Sequence, residues 1–346
     1  MVYNKFKRPE YGGEDNASAP YGNFFGTGRD GAYTVSSNTT LAGANDDTAI
    51  FESHFQSLTV NVSTTLSLGF RRRAWVIYVQ GDCTINGSIT MATGASAVAS
   101  NACVVRRSLA QGLNSLTEAA SSIYTTYTVP AAGAAGGSAV AGSNTNGNPG
   151  TAGTNGQTAG GASGANISNG SGAGAAGTAY SGGAGGGGGS QTTPAATAGG
   201  ANGGAGGAGG GNVTGSNTGG GAGNPGGAGG SAPNGTSSAG SNGTGGTLIL
   251  MVGGNLTIGG SAVISANGSG GGGTSGTGTQ NGAGGGGSGG GRVIILYAGT
   301  LSNSGTIQAN GGSGGVSSGH INDNNGGSGG AGSVTSPTLI QRRLVG

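Results

Sequence analysis

The chain has 346 residues, 89 of them glycine, with 33% hydrophobic and 6% charged residues and a formal net charge of +2. So little apolar material argues against an enzyme-sized hydrophobic interior. So little charge argues against long-range steering toward nucleic acid or an acidic membrane surface, and leaves shape and hydrogen bonding as the means of recognition.

The N-terminus, MVYNKFKRPEYGG, carries cations with no apolar run behind them, and no segment approaches the roughly 20 apolar residues that span a bilayer. Neither an export signal nor membrane insertion is expected. Tyr3, Phe6, Tyr11, Tyr21, Phe24 and Phe25 crowd the first 25 residues with Lys7 and Arg8, in neither helical nor strand periodicity, and are interrupted by Pro9 and Pro20. Rings at that density are a solubility liability if exposed. Residues 1–30 therefore read as an arm that docks on another protein through these eight residues.

From residue 31 to 129 the pattern is that of a β-rich module. AYTVSS from Ala32, SLTVNVSTTLSL from Ser57 and AWVIYVQGDCTINGSITM from Ala74 alternate with period two and are rich in Val, Ile, Thr and Tyr. One helix is expected near ACVVRRSLAQGLNSLTEAA, where Val105, Leu109, Leu113 and Leu116 fall at helical spacing and Gly112 weakens it. Cys83 and Cys103 have no metal-ligand spacing and read as two reduced thiols.

The third of these runs recurs as TLILMVGGNLTIGGSAVISANG from Thr247 and RVIILYAGTLSNSGTIQANG from Arg292. Each copy is an apolar strand, a Gly-centred turn, a shorter strand, a second turn and a third short strand. A repeated β unit implies stacking of like on like, each unit burying its apolar face on the next.

Between Ala119 and Gly291 there is no Asp, Glu, Lys or Arg. Residues 130–346 carry glycine runs such as GGAGGGGGS from Gly182, GGANGGAGGAGGGN from Gly199, GGGGSGGG from Gly284 and GGSGGAG from Gly326, joined by short polar spacers. Run, spacer, run describes a segment that goes out, turns and returns. Glycine loses the most backbone entropy on ordering, so such runs order only where the missing side chain is itself needed. Extended three-residue-per-turn helices satisfy this. They advance about 3.1 Å per residue, form no internal hydrogen bonds and present N–H and C=O groups sideways, so bare backbones lying side by side can bond to one another. A collagen helix is disfavoured by the 8 prolines and the broken triplets, and a flexible linker by the apolar β units that follow. The fold class is therefore mainly β: an N-terminal β-rich module followed by a polyglycine-II bundle with stacked short β units and little helix.

Catalytic chemistry is hard to find. Asp46, Asp47, Glu52 and His54 form the one acidic cluster and read as a solvated turn before an edge strand, because no second cluster completes a site. His320 in SGHINDNN reads as a polar loop tip. The scattered GxGxxG matches do not sit between a strand and a helix and carry no nucleotide motif. Arg71, Arg72, Arg73 and the pair Arg106, Arg107 suit either phosphate contacts or a solvated surface. No catalytic residue, metal or cofactor is expected.

The GGAGG and GGxGG runs with short polar turns resemble the glycine-rich tail-fibre adhesins of bacteriophages, and units such as GGGRVIILYAGTLSNSGTIQANGGSGG resemble those of glycine-rich virion and bacterial surface proteins. The resemblance covers roughly residues 130–332. It implies a non-enzymatic virion surface protein, assembled in the host cytoplasm, whose N-terminal part meets other virion proteins and whose glycine-rich domain meets a host-cell receptor, an outer-membrane protein or a glycan. A homotrimer would suit a fibre. In that family the loops joining the glycine helices contact the receptor. The matching positions here are Asn144, Asn146 and Asn148 in SNTNGNP, Gln191, Thr192 and Thr193 in QTTPAAT, and Asn212, Thr214 and Asn217 in NVTGSNT. A capsid decoration or head-fibre protein, and a glycine-rich bacterial surface protein, remain as alternatives.

Overall fold

The computed structural model describes residues 25–91, 94, 217–218, 235–241, 245–276, 281–319 and 322–339. The helix expected near Val105 lies outside them, and the described residues contain strands and no helix. The fold is mainly β, as the alternating runs require.

Strands follow one another around a triangular circuit. The first rung is β1 (Ala32–Val35), β2 (Thr39–Leu41) and β3 (Asp46–Phe55), and the second is β4 (Ser57–Val60), β5 (Thr65–Leu68) and β6 (Arg72–Val79). The third begins with β7 (Cys83–Ile85) and β8 (Ser88–Thr90). It then departs through a long excursion containing β9 (Asn217–Thr218) and β10 (Gly235–Ser237), and closes with β11 (Thr247–Val252). The fourth has β12 (Leu256–Ile258), β13 (Val263–Ser265), an excursion with β14 (Thr274–Gly276) and β15 (Asn281–Ala283), and β16 (Arg292–Tyr297). The fifth has β17 (Leu301–Asn303), β18 (Thr306–Gln308), an excursion with β19 (Ser317–Ser318) and β20 (Asn322–Asn324), and β21 (Ser333–Val334) with β22 (Thr338–Leu339).

Each rung lies on the one before it. The sheets run β1-β4-β7-β12-β17, β2-β5-β8-β13-β18 and β3-β6-β11-β16-β21, all parallel, with β22 also on β16. The result is a parallel β-solenoid of five rungs. Period-two alternation decides which side chains face inward. In the third sheet the columns Phe51, Trp75, Leu248, Val293 and Phe55, Val79, Val252, Tyr297 follow from the strand registers. In the second sheet Leu66, Ile89, Ile264 and Ile307 stack the same way. Burying one such side chain contributes about 1.5–3 kcal/mol. Trp75 is fully buried and donates its indole N–H to Ser53 Oγ at 3.1 Å.

The compositional boundary at 129/130 does not coincide with a boundary in the stack. β11 pairs with β6 from Ala74↔Thr247 to Val79↔Val252, so copies expected inside 130–346 complete the module expected for 31–129. An open parallel edge at β6 and a like-patterned strand at β11 satisfy each other's backbone groups.

The corner between third and first sheets explains the conserved spacing of the three copies. Gly81 N–H donates to Gln56 O (2.8 Å), Gly254 N–H to Gly81 O (3.0 Å) and Gly299 N–H to Gly254 O (2.9 Å). A Cβ on Gly254 would lie 2.6 Å from the Gly81 carbonyl carbon, so this position of the corner stacks only without a side chain. One residue on, Asn255 N–H donates to Asp82 Oδ1 (2.8 Å), and Thr300 N–H and Oγ1 donate to Asn255 Oδ1 (3.0 and 2.8 Å). Aromatics close the first end: Tyr33 stacks on Phe55 at 5.2 Å and Phe51 meets Phe70 edge-on at 5.0 Å. At the other end the edge strands β17 and β18 have only three residues each, which limits edge-to-edge pairing.

Cys83 sits in this core. Burial, and then the neighbouring Asp82 carboxylate, push its thiol well above the ordinary range. A covered, protonated thiol is inert. In a Cys103→Ser background, Ellman's reagent is expected to detect no thiol in the native protein and one after denaturation. Reaction in the native protein would mean that the third rung opens.

Candidate functional site

All three excursions leave the solenoid at one corner, between the second and third sheets, after β8, β13 and β18. In the fourth rung the chain goes out along 266–273 and back along 284–291. In the fifth it goes out along 309–316 and back along 325–332. The last part of the third rung's excursion returns along 235–246, of which 242–244 lie outside the described residues.

These legs are joined by hydrogen bonds that recur every third residue. The N–H groups of Gly268, Gly271 and Thr274 donate to the carbonyls of Asn310, Ser313 and Val316, each at 2.8 Å. Those of Gly285, Ser288 and Gly291 donate to Gly272, Ser269 and Ala266, and those of Gly326, Gly329 and Gly332 to Gly315, Gly312 and Ala309. A three-residue period between non-local partners, with neither the 3.6 of an α-helix nor the 2 of a strand, is the signature of extended three-fold helices. Eight residues in that geometry span about 25 Å.

Position in the bundle dictates sequence. The leg 284–291, GGGGSGGG, is buried at every residue and is bonded to the legs 235–246, 266–273, 309–316 and 325–332. A Cβ at Gly284, Gly287 or Gly290 would overlap the carbonyl oxygen of Gly315, Gly312 or Ala309. Ser288, the one side chain in that leg, is fully buried, and its Oγ accepts the Ser269 N–H at 2.7 Å. The outermost legs tolerate a side chain at every third position: Asn310, Ser313 and Val316 on one, Asn325, Ser328 and Ala331 on the other, all exposed, with two glycines between.

At the far end of the legs lie two small sheets, β10-β14-β19 and β20-β15-β9. Thr236 and Ser275 share an exposed hydroxyl hydrogen bond of 2.8 Å, Thr274 and Ser317 a buried one of 2.9 Å, and Asn325 Oδ1 accepts the Ser317 N–H at 2.8 Å. Val316 beside them is 63% exposed. The described excursion segments carry one charged residue by sequence, Asp323. What this end offers is a rigid array of hydroxyl and amide donors and acceptors, suited to recognition by hydrogen bonding.

Of the residues expected to contact a receptor, Asn217 falls in β9, in this distal sheet, where β9 pairs with Gly282 and Ala283. Asn144, Asn146, Asn148, Gln191, Thr192, Thr193, Asn212 and Thr214 lie outside the described residues. Sequence reasoning did not select Thr236, Thr274, Ser275, Ser317 or Asn325. Its own run-spacer-run rule, applied to SAPNGTSSAGSNGT, GGGGTSGTGTQNGAGGGG and GGVSSGHINDNNGG, points to them. Of the expected docking residues, Phe25 is 4% exposed and its ring faces Gly253 of the same chain. Tyr3, Phe6, Lys7, Arg8, Tyr11, Tyr21 and Phe24 lie outside the described residues.

The acidic cluster is not a solvated turn throughout. β3 is an edge strand and Asp46 is exposed, with its Oδ1 accepting the Ala49 N–H at 3.2 Å across a bulge. His54, by contrast, is 1% exposed. It stacks on Tyr78 at 4.8 Å, its Nδ1 accepts the Thr27 N–H (3.2 Å) and its Nε2 faces Glu52 Oε2 at 3.2 Å. The segment 25–31 packs over it, which a local reading of NDD could not anticipate. Arg72 is likewise engaged within the chain, over the Phe70 ring at 4.8 Å and donating to Ala44 O at 2.7 Å. Among the described residues no three His, Cys, Asp or Glu side chains gather as metal ligands. Comparison of the chain with models of protein families, with curated proteins and with solved structures gives no match in any of the three.

Proposed function

We propose that this protein is a non-enzymatic structural protein of a bacteriophage virion, a fibre or adhesin that attaches the particle to the host-cell surface through the far end of its glycine bundle. The observation that carries the reading is the bundle's construction. The described legs of the excursions, which leave one corner of a solenoid, are joined by bonds between bare backbones, and they hold a hydroxyl and amide array away from the stack. Chain is spent on reach and rigidity, which an attachment device needs. The receptor is an outer-membrane protein or a glycan, and other virion proteins hold the N-terminal part. Fibres of this kind are commonly trimeric, and a homotrimer is part of the proposal.

Electron microscopy of particles carrying a gold-labelled tag after Gly346 tests it. Label is expected at the tips of the tail or baseplate. Label over the head would replace the adhesin by a capsid decoration or head-fibre protein, and particles without label would remove the virion assignment.

A further inference from the structure

The two ends of the solenoid are built differently. At the first end Val35, Leu41 and Phe55 are 1%, 6% and 2% exposed, and the pairs Tyr33–Phe55 and Phe51–Phe70 close the stack. At the fifth rung the inward columns stop without a cover. Val334 follows the buried Val293 and Leu339 follows Tyr297 in register, yet these two are 40% and 47% exposed. Leu301 follows Leu256 and Ile307 follows Ile264, and both are half-buried where their predecessors are fully buried. A solenoid stays soluble when its terminal repeat turns a polar face outward. Here the last repeat turns out four apolar side chains.

Charge and shape say what fits this face. The first two rungs and the segment before them carry Arg29, Asp30, Asp46, Glu52, Arg71 and Arg72, whereas residues 299–339 carry one charged residue by sequence, Asp323 at the far end of the legs. Two fifth-rung faces can therefore meet with no like charges set against each other in the stack. The fifth rung's legs widen the face on the same side. The leg 309–316 is bonded to 266–273 and the leg 325–332 to 284–291, so both lie beyond the legs of the fourth rung. Each spans about 25 Å, which extends the contact toward the roughly 800 Å² per partner of a stable pair. The first rung has no excursion, so a head-to-tail stack would leave these legs unmatched.

We propose that the fifth-rung face is a two-fold interface between two copies of this chain, with Leu301, Ile307, Val334 and Leu339 of one copy packed on the same patch of the other. The contact is self-complementary and closes with two copies. Side chains make it, because β17 and β18, at three residues each, are too short to add strands. It is independent of any three-fold contact through other faces, and of the particle or cell to which the protein belongs.

Light scattering on the full chain tests it. The double variant Val334→Glu/Leu339→Glu is expected to halve the mass of the particle, from two chains to one, or from six to three where the chain is also trimeric. Val62→Glu, at an exposed valine between β4 and β5, is expected to leave the mass unchanged. Equal masses for the parent and the double variant, a fall by any other factor, or the same fall in Val62→Glu overturns the proposal. Hydroxyl-radical footprinting of the unsubstituted chain gives a readout that does not depend on a variant folding. Oxidation of Leu339 is expected to be at least 3-fold slower in concentrated than in dilute protein, with Val62 unchanged. Equal rates at Leu339, as a cover formed within one chain would give, overturn the interface.

Discussion

Gly287→Ala is expected to dissolve the glycine bundle while leaving the solenoid folded. The added methyl falls on the carbonyl oxygen of Gly312, a backbone atom that cannot swing aside as a side chain would. The leg 284–291 would have to move outward, and in doing so it loses the bond from Gly287 N–H to Gly327 O (2.9 Å) and strains the neighbouring bonds of Gly285, Ser288 and Gly290. Overpacking costs about 1–3 kcal/mol and the lost bond about 1 kcal/mol, so roughly 2–4 kcal/mol is at stake. Hydrogen exchange across 284–291 and 309–316 reads it directly: protection there is expected to collapse, with that of β5 and β6 retained. Ser313→Ala, on the exposed face of an outer leg, is the matched control and is expected to stay within about 0.5 kcal/mol of the parent. Equal protection in the two variants would mean the legs are not in backbone contact.

Trp75→Ala is expected to cost about 3–5 kcal/mol, the range for removing a large aromatic from a packed core. Trp75 is fully buried in the column Phe51, Trp75, Leu248, Val293, and its loss also leaves the Ser53 hydroxyl, itself buried, without the indole partner. Trp75 is the single tryptophan of the chain, so urea unfolding of the variant is followed by circular dichroism instead of fluorescence. Thr34→Ala, on the outward face of β1, is expected to change the midpoint little. A Trp75→Ala midpoint as high as that of Thr34→Ala would place the ring outside the core.

Much of this architecture was written in local pattern. The three repeated units announced stacked strands, because period-two alternation and Gly-centred turns act within a few residues. The all-glycine run GGGGSGGG and the punctuated GGSGGAG are an interior and an outer leg, and composition alone distinguishes them once the bundle is known. Connectivity was not legible. That β8 and β11 belong to one rung depends on Ala74–Val79 offering an edge to Thr247–Val252, and nothing near either strand signals the partner. The surroundings of Phe25 and His54 were not legible for the same reason. His54 is covered by the segment 25–31, and the Phe25 ring faces Gly253, contacts made at least 24 residues away in the chain that no local pattern signals. The tip hydroxyls of Thr236, Thr274 and Ser317 are ordinary residues by type, and only the convergence of the legs makes them an array.

The long excursion of the third rung also sets a timetable. When β6 leaves the ribosome, its partner β11 is still roughly 170 residues away, about 10–30 s of synthesis at typical rates. For that interval the first two rungs stand with an eight-residue parallel edge open and Trp75, Ile77 and Val79 covered on one side only. What is being made meanwhile is the stretch of the chain with the fewest β-branched and aromatic residues. Glycine is a poor strand former, so apart from IYTTYTV at 123–129 the newly made chain offers little that can occupy the waiting edge before β11 arrives.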